Sequence, residues 1–466
     1  MIDTAIVIIY LASVLLVGIY YRSRSSSLKG YGSMNNPQGT SKLLLVATIF
    51  ATAVGGGTTF GIAEKAFAHD LSYTYALLLT VPVDILIAFI IVPKLVVHNG
   101  ATSMGDIMFK FYGAPGRVIT GIAAVLISVG YLAAQINVSG RIFEYILDIG
   151  RVEGIVLSYI IVIIYTAVGG LRSVVFANLL QFFAMLTAIP LVALIGVYGI
   201  GIEKFAGDIP KAKYALDNWS IVQSTISIAL SFSVMGIIPT FIQRAIINKD
   251  PSSIKSAIMI KILVYVFFIV CVTINGLVAF VMMPDQDSTL AIPYMIDSII
   301  PVGLKGLVVA GLLAAVMSTA DSDLNIASIS MINDIFRPIF KINKQGFLLF
   351  LAKITTLILG SGAILLALWF NNVVDLVIFA AGFWAPMILV PFVGALFGFV
   401  IPIRSFVITS LCGMISFVAW EYFNSASDLK GVFAGTVMSY LLFGCFYSQS
   451  RSLRVLPNNP YNDVNN

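Results

Sequence analysis

Between Gly306 and Ser322 the chain runs through small and apolar residues into Ala315, Ser318, Thr319, Asp321 and Ser322. Ala315, Ser318 and Thr319 stand at i, i+3 and i+4, so they share one helix face. In an apolar medium hydroxyls and a carboxylate are costly unless they line a cavity or hold something. Carbonyls and hydroxyls are hard oxygen donors, the type that alkali cations take in place of water. The same hydroxyls can also bond back to their own helix, which is frequent for Ser and Thr.

A second irregular segment offers carbonyls to such a site. Gly55-Gly56-Gly57 followed by Thr58-Thr59 interrupts an apolar run, and Gly236-Ile237-Ile238-Pro239 interrupts another. Paired interruptions in corresponding positions point to a transporter binding site near the bilayer midplane. Close helix packing through glycine is the alternative for any one of them.

The elements that must position these residues are membrane spans. The chain is 59% hydrophobic and only 11% charged, against about 25% charged in soluble domains. Apolar stretches meeting the ~20-residue requirement of a spanning helix recur at 3–21, 43–66, 72–93, 117–144, 154–170, 174–200, 220–244, 257–283, 305–332, 346–370, 374–400, 403–422 and 430–448. The expected fold is therefore an all-α polytopic membrane protein with about thirteen transmembrane helices. With the N-terminus outside and the C-terminus cytoplasmic, most of the 27 lysines and arginines fall inside, among them Arg22, Arg24, Lys42, Lys94, Arg172, Arg244, Lys261 and Arg337, as the positive-inside rule asks. The plasma (inner) membrane is the expected location, and 1–21 reads as a first span rather than a signal peptide. Cys271, Cys412 and Cys445 sit in apolar spans and read as buried thiols without disulfides. No metal-enzyme spacing and no nucleotide-binding loop is visible, so neither an enzyme nor an ATP-driven pump is expected, and no nucleic-acid or obligate protein partner.

Several motifs together resemble the sodium/solute symporter family: Tyr165-Thr166-Ala167-Val168-Gly169-Gly170-Leu171-Arg172-Ser173, Gln243-Arg244, and the run from Gly306 to Ser322. The resemblance spans roughly 40 to 450. It implies a leucine-transporter-like core of two inverted five-helix repeats, with sodium-driven alternating access. The chain then divides into 1–42 (first helix and cytoplasmic loop), 43–200 (first repeat), 201–400 (second repeat) and 401–466 (two peripheral helices and a short tail). Carried over by motif, the sodium ligands are Ala51, Val54, Ala315, Ser318 and Thr319. Some relatives hold a second sodium with an Asp where this chain has Asn178. Asp321, with Ser322 and Asn178 assisting, is the candidate replacement, beside the reading that Asp321 is merely held by hydrogen bonds. Sodium is the coupling ion, and no other cofactor is implied.

The solute is less legible. The Val54 and Asp321 strings look most like the choline branch, with proline and pantothenate symporters close behind. Ala53, however, is neither the aromatic that would hold a quaternary ammonium nor an acid. Candidate solute contacts are Thr58, Thr59, Tyr131, Gln135, Ser233 and Trp384, with Phe383 beside the last; interhelical hydrogen bonding and core packing are their ordinary roles. Asp84, within an apolar span, either receives a solute amine or a proton or pairs structurally. The expectation is sodium symport of a small polar organic solute, amino-acid-like or a carboxylate. A sodium-independent uniporter or channel and a transporter-like sensor are the alternatives. The short polar tail after Arg454 shows no output domain, which counts against the sensor.

Overall fold

The computed structural model describes residues 2–22, 27–34, 40–216, 218–234, 236–369, 373–423 and 431–454; Arg24 and the tail beyond Arg454 lie outside them. Among the described residues ten helices are long and apolar enough to cross a bilayer, and the bent pair Lys42–Ala53 and Gly57–Ala68 makes an eleventh span. The helical run Arg151–Ile200 is 50 residues long. At 1.5 Å per residue it would reach about 75 Å, more than twice an apolar bilayer core. It is divided at Gly170, whose φ of +63° turns the chain; a side chain there would press on Tyr31. The two short helices Trp219–Val234 and Pro239–Ala245 complete the set.

In chain order the spans are α1 (Ile2–Tyr20), α2 (42–68), α3 (Ser72–Val96), α4 (Met104–Ile146), α5 (151–169), α6 (171–200), α7 (219–245), α8 (Pro251–Met282), α9 (Leu304–Phe340), α10 (Gln345–Trp369), α11 (373–396), α12 (Ile403–Phe423) and α13 (Gly431–Arg454). The thirteen expected helices are thus all recognisable. Gly113, at φ +60°, sets a short leg of α4 at an angle to the span proper.

Local chemistry fixes where the helices begin. Ser41 caps α2 by accepting from Leu44 N at 3.4 Å. Asp250 caps α8 by accepting from Ser252 and Ser253 N, each at 3.0 Å, ahead of Pro251. Asp3 on α1 accepts from Gly303 N (2.8 Å) and Gly306 N (2.6 Å), and so supplies a negative charge to the N-terminus of α9. α9 runs through the middle of the molecule, packed by α1, α4, α5 and α6, and is buried along almost its whole length. α12 and α13 pack on each other and against α11. Only Cys271 of the three free thiols is buried; Cys412 is half-buried and Cys445 exposed, because α12 and α13 lie at the periphery with one face unpacked.

The C-terminal end of α2 is held by a loop residue. Lys213 donates to the carbonyls of Ala66 (3.0 Å), Phe67 (2.7 Å) and His69 (2.7 Å), satisfying acceptors that a helix C-terminus leaves open. Its ammonium stands 4.1 Å from the Phe280 ring centre of α8. Burial pushes the Lys213 ammonium below its usual range, opposed by the charge of Asp70.

Close packing of α2 on α8 depends on Gly276, where a Cβ would stand 2.8 Å from Ala63 Cα. Gly276→Val should destabilise the protein by roughly 1–3 kcal/mol, read as a lower Tm in detergent. Gly199→Ala, where a Cβ meets nothing within 4 Å, should leave Tm within a degree or so of the parent.

Candidate functional site

The break in α2 releases two backbone carbonyls. In an unbroken helix Ala51 O and Val54 O would accept from Gly55 N and Thr58 N. Here Gly55 N donates to Thr58 Oγ1 at 2.8 Å and Thr58 N to Gly55 O at 3.2 Å, with Val54 extended at φ −109°, ψ 114°. Gly56 N is taken by Gln135 Oε1 of α4 at 2.6 Å. The two released carbonyls face α9. Ser318 Oγ lies 3.1 Å from Ala51 O and 3.1 Å from Ala315 O. Thr319 Oγ1 lies 2.8 Å from Val54 O, 3.3 Å from Ala51 O and 3.4 Å from Ala315 O.

Five oxygens therefore meet, and only two of them bring a proton. A cluster with more lone pairs than donors is poorly served by hydrogen bonds alone and suits a hard cation. All five are uncharged, and among the described residues no group of His, Cys, Asp or Glu has metal-holding geometry. Neutral carbonyl and hydroxyl oxygens fit a monovalent alkali ion better than a divalent one, which draws on carboxylates. Every residue that the motif had picked out, Ala51, Val54, Ala315, Ser318 and Thr319, contributes an oxygen to this cluster.

One turn further along α9 the polar groups form a different network. Tyr165 Oη of α5 donates to Asp321 Oδ2 at 2.5 Å, and Ser322 Oγ lies 3.1 Å from Asp321 Oδ1. Arg244, fully buried at the end of α7, donates to Ser322 Oγ (2.8 Å), Thr48 Oγ1 (3.0 Å) and Gln243 Oε1 (2.7 Å). Asn178 Nδ2 donates to the same Thr48 Oγ1 at 3.1 Å, while Asn178 Oδ1 is buried without a partner. Asn178 and Asp321 are thus linked through Thr48, Arg244 and Ser322, and no direct hydrogen bond joins them among the described residues.

Beside the α2 break lies a cavity of about 190 Å³, bounded by both breaks, α3, α4 and α8. Thr58, Tyr131, Gln135 and Ser233 line it as expected, with Ala53 and Thr319. Two other expected contacts do not. Thr59 turns away, its hydroxyl 2.9 Å from Gly55 O, and borders a separate small void with Asn275 and Leu312; the wide helical turn Gly57–Gly61 rotates it off the face that carries Thr58. Trp384 is fully buried outside the cavity and donates through Nε1 to Ile237 O at 2.8 Å. It satisfies a carbonyl at the α7 break. Phe383 packs edge-to-face against Phe379 and Phe417.

Asp84, for which the sequence left structural pairing as one reading, has a charged partner in the cavity wall that the sequence did not identify. Asp84 Oδ2 accepts from Lys261 Nζ at 2.7 Å, both line the cavity, and the ammonium stands 4.5 Å from the Tyr265 ring centre. Lys261 is therefore not a cytoplasmic-end charge of α8; it reaches into the interior to meet Asp84. Two ionisable residues in facing apolar helices were the available signal, since each calls for a partner in lipid.

The sodium:solute symporter family model matches residues 40–399. The sodium/sialic acid symporter NanT of Aliivibrio fischeri is 22% identical over 358 residues, covering 71% of this chain and 69% of that protein. Sodium/myo-inositol cotransporter 2 of Sus scrofa is 24% identical over 499 residues, covering 94% of this chain and 69% of that one. A solved Na+-coupled sialic acid symporter in a substrate-bound outward-open state superposes with a TM-score of 0.83 at 19% identity, over 96% of this chain and 98% of its own. MhsT in complex with L-phenylalanine superposes at 0.56 and 14% identity, over 89% and 100%. These superpositions show the leucine-transporter-like fold of inverted repeats.

Because Trp384 serves the α7 break and not the cavity wall, Trp384→Phe should leave the Ile237 carbonyl buried and unpaired, costing about 1–3 kcal/mol. Thermal unfolding should report that loss together with weaker solute binding. Unchanged stability would show that the indole does not hold the break.

Proposed function

The chain belongs to the sodium:solute symporter family and is a multi-pass membrane symporter that couples a small organic solute to sodium; from that premise we propose where ion and solute sit and how they are linked. The sodium ion is held by the carbonyls of Ala51, Val54 and Ala315 and the hydroxyls of Ser318 and Thr319. The observation that carries this is the meeting of five oxygens with two protons across the α2 break. Bound there, the ion supplies the positive charge that joins α2 to α9. Asp321 and Ser322 already have Tyr165 and Arg244 as partners, so of the two readings of Asp321 we adopt the hydrogen-bonded one, and a stoichiometry of one sodium per solute.

The solute occupies the cavity against Thr58, Tyr131, Gln135 and Ser233, with Asp84 and Lys261 opposite. The Asp84–Lys261 pair neutralises itself and so offers a net charge on the solute no opposite charge to spare, which leaves Arg244 as the other charged residue on the lining. A net-neutral solute with both donors and acceptors, a zwitterionic amino-acid-like compound or a polyhydroxylated one, can share the pair's hydrogen bonds without breaking the balance. The family relative named for myo-inositol agrees with a neutral, hydroxyl-rich cargo. Tying Ala51 and Val54 to α9 holds Gly55 and Gly56 against Gln135 and so presents Thr58 to the solute. Sodium and solute thus raise each other's affinity, as linkage requires. Rocking of the two inverted repeats about this tie delivers both inward across the plasma membrane, with the N-terminus outside and the C-terminus in the cytoplasm.

In proteoliposomes, uptake should require an inward sodium gradient and stop when potassium replaces sodium. Ser318→Ala and Thr319→Ala should each raise the half-saturating sodium concentration about tenfold or more, the equivalent of one interaction with a charged group. Asp84→Asn should weaken solute affinity with sodium affinity changed much less. Non-saturating flux without sodium would identify a channel, and solute binding without flux a sensor.

A further inference from the structure

α9 carries a charge that neither the five-oxygen cluster nor the solute cavity uses. Asp323 lies one helical turn past Thr319, about 6 Å along the helix on the same face. It is 2% exposed, and its Oδ2 has no hydrogen-bond partner. The charged groups that act on it are Asp321 and Arg244. Arg244 spends its hydrogen bonds on three neutral oxygens, those of Thr48, Gln243 and Ser322. Among the described residues it makes no ion pair within 4 Å. Two carboxylates and one guanidinium thus lie buried near one another with no ion pair among them within 4 Å among the described residues. Asp321 is the better solvated of the two, with hydroxyls of Tyr165 and Ser322 on its two oxygens.

The nearby sodium site has the complementary deficit. Its five oxygens are all neutral, so a cation placed among them brings a charge that no ligand cancels. In a low-dielectric interior such charges act over several ångströms without contact, and an unpaired buried carboxylate gains most from one.

We propose that Asp323 is the fixed counter-charge of the sodium site, a positioning residue that sets ion affinity through its field without touching the ion. The proposal rests on the sodium site placed above.

The test uses the full purified chain in detergent at constant ionic strength, with sodium exchanged for potassium. Sodium binding is read from radioactive sodium and from thermal stabilisation. Asp323→Asn should raise the half-saturating sodium concentration about tenfold, the effect of a unit charge near 10 Å at an effective dielectric of about 20. Asp323→Glu, which keeps the charge, should stay within about threefold of the parent by the same reasoning. In potassium the Asn variant should be at least as stable as the parent, because a buried carboxylate oxygen without a partner has gone; a merely structural carboxylate would leave it less stable. Asp323→Ser carries the same expectation should the Asn protein fail to fold. Sodium affinity unchanged in Asp323→Asn, or equally lost in Asp323→Glu, overturns the counter-charge. If Ser318→Ala measured alongside also binds sodium like the parent, the ion lies elsewhere and the site reading falls first.

Discussion

Two backbone carbonyls without helical donors organise this molecule. Ala51 O and Val54 O are released because Gly55 N and Thr58 N bond within the break instead, and buried carbonyls must find partners. The partners are the Ser318 and Thr319 hydroxyls of α9. Everything around the break serves to hold that meeting. Gln135 fixes Gly56, Ser41 and Lys213 secure the two ends of α2, and Asp3 secures the start of α9. A change in what the carbonyls bind is then felt at Thr58, which lines the cavity.

The two broken helices are stabilised by different means, and the contrast separates their roles. At the α7 break, Ile237 O is satisfied once, by a fully buried indole. That is a fixed structural bond. At the α2 break the same need is met by hydroxyls that are themselves short of protons, so the arrangement is open to exchange with a cation. Arg244 lies between these regions, bonding α2 through Thr48 and α9 through Ser322. It carries the position of α7 into the same network. Membership of the sodium:solute symporter family gives this geometry its meaning as ion–solute coupling.

Much of this was legible in the residues. Three adjacent glycines before Thr58 announced the α2 break, and the spacing of Ala315, Ser318 and Thr319 announced a polar face on α9. The thirteen spans followed from apolar runs because a bilayer demands a fixed length. What stayed hidden depended on rotation and on long-range pairing. Thr59 and Thr58 are chemically alike, and only the wide turn at Gly57–Gly61 decides which one faces the cavity. Trp384 reads as a solute contact from its neighbours, yet its N–H was needed by a carbonyl in another helix. Lys261 reads as a helix-end charge because it lies near the start of the apolar run 257–283, and only the fold shows that its partner is Asp84. Polar groups in lipid call for partners, but the identity of the partner is a property of the folded chain.

The central claim concerns what occupies the space between the α2 break and α9. A cryo-EM or crystal structure in sodium buffer, at a resolution that shows ordered ions, addresses it directly. The account predicts a single density bounded by Ala51 O, Val54 O, Ala315 O, Ser318 Oγ and Thr319 Oγ1, absent when the sodium is replaced by N-methylglucamine. Those five oxygens remaining in mutual hydrogen bonds in saturating sodium, with ion density elsewhere in the molecule, would contradict it.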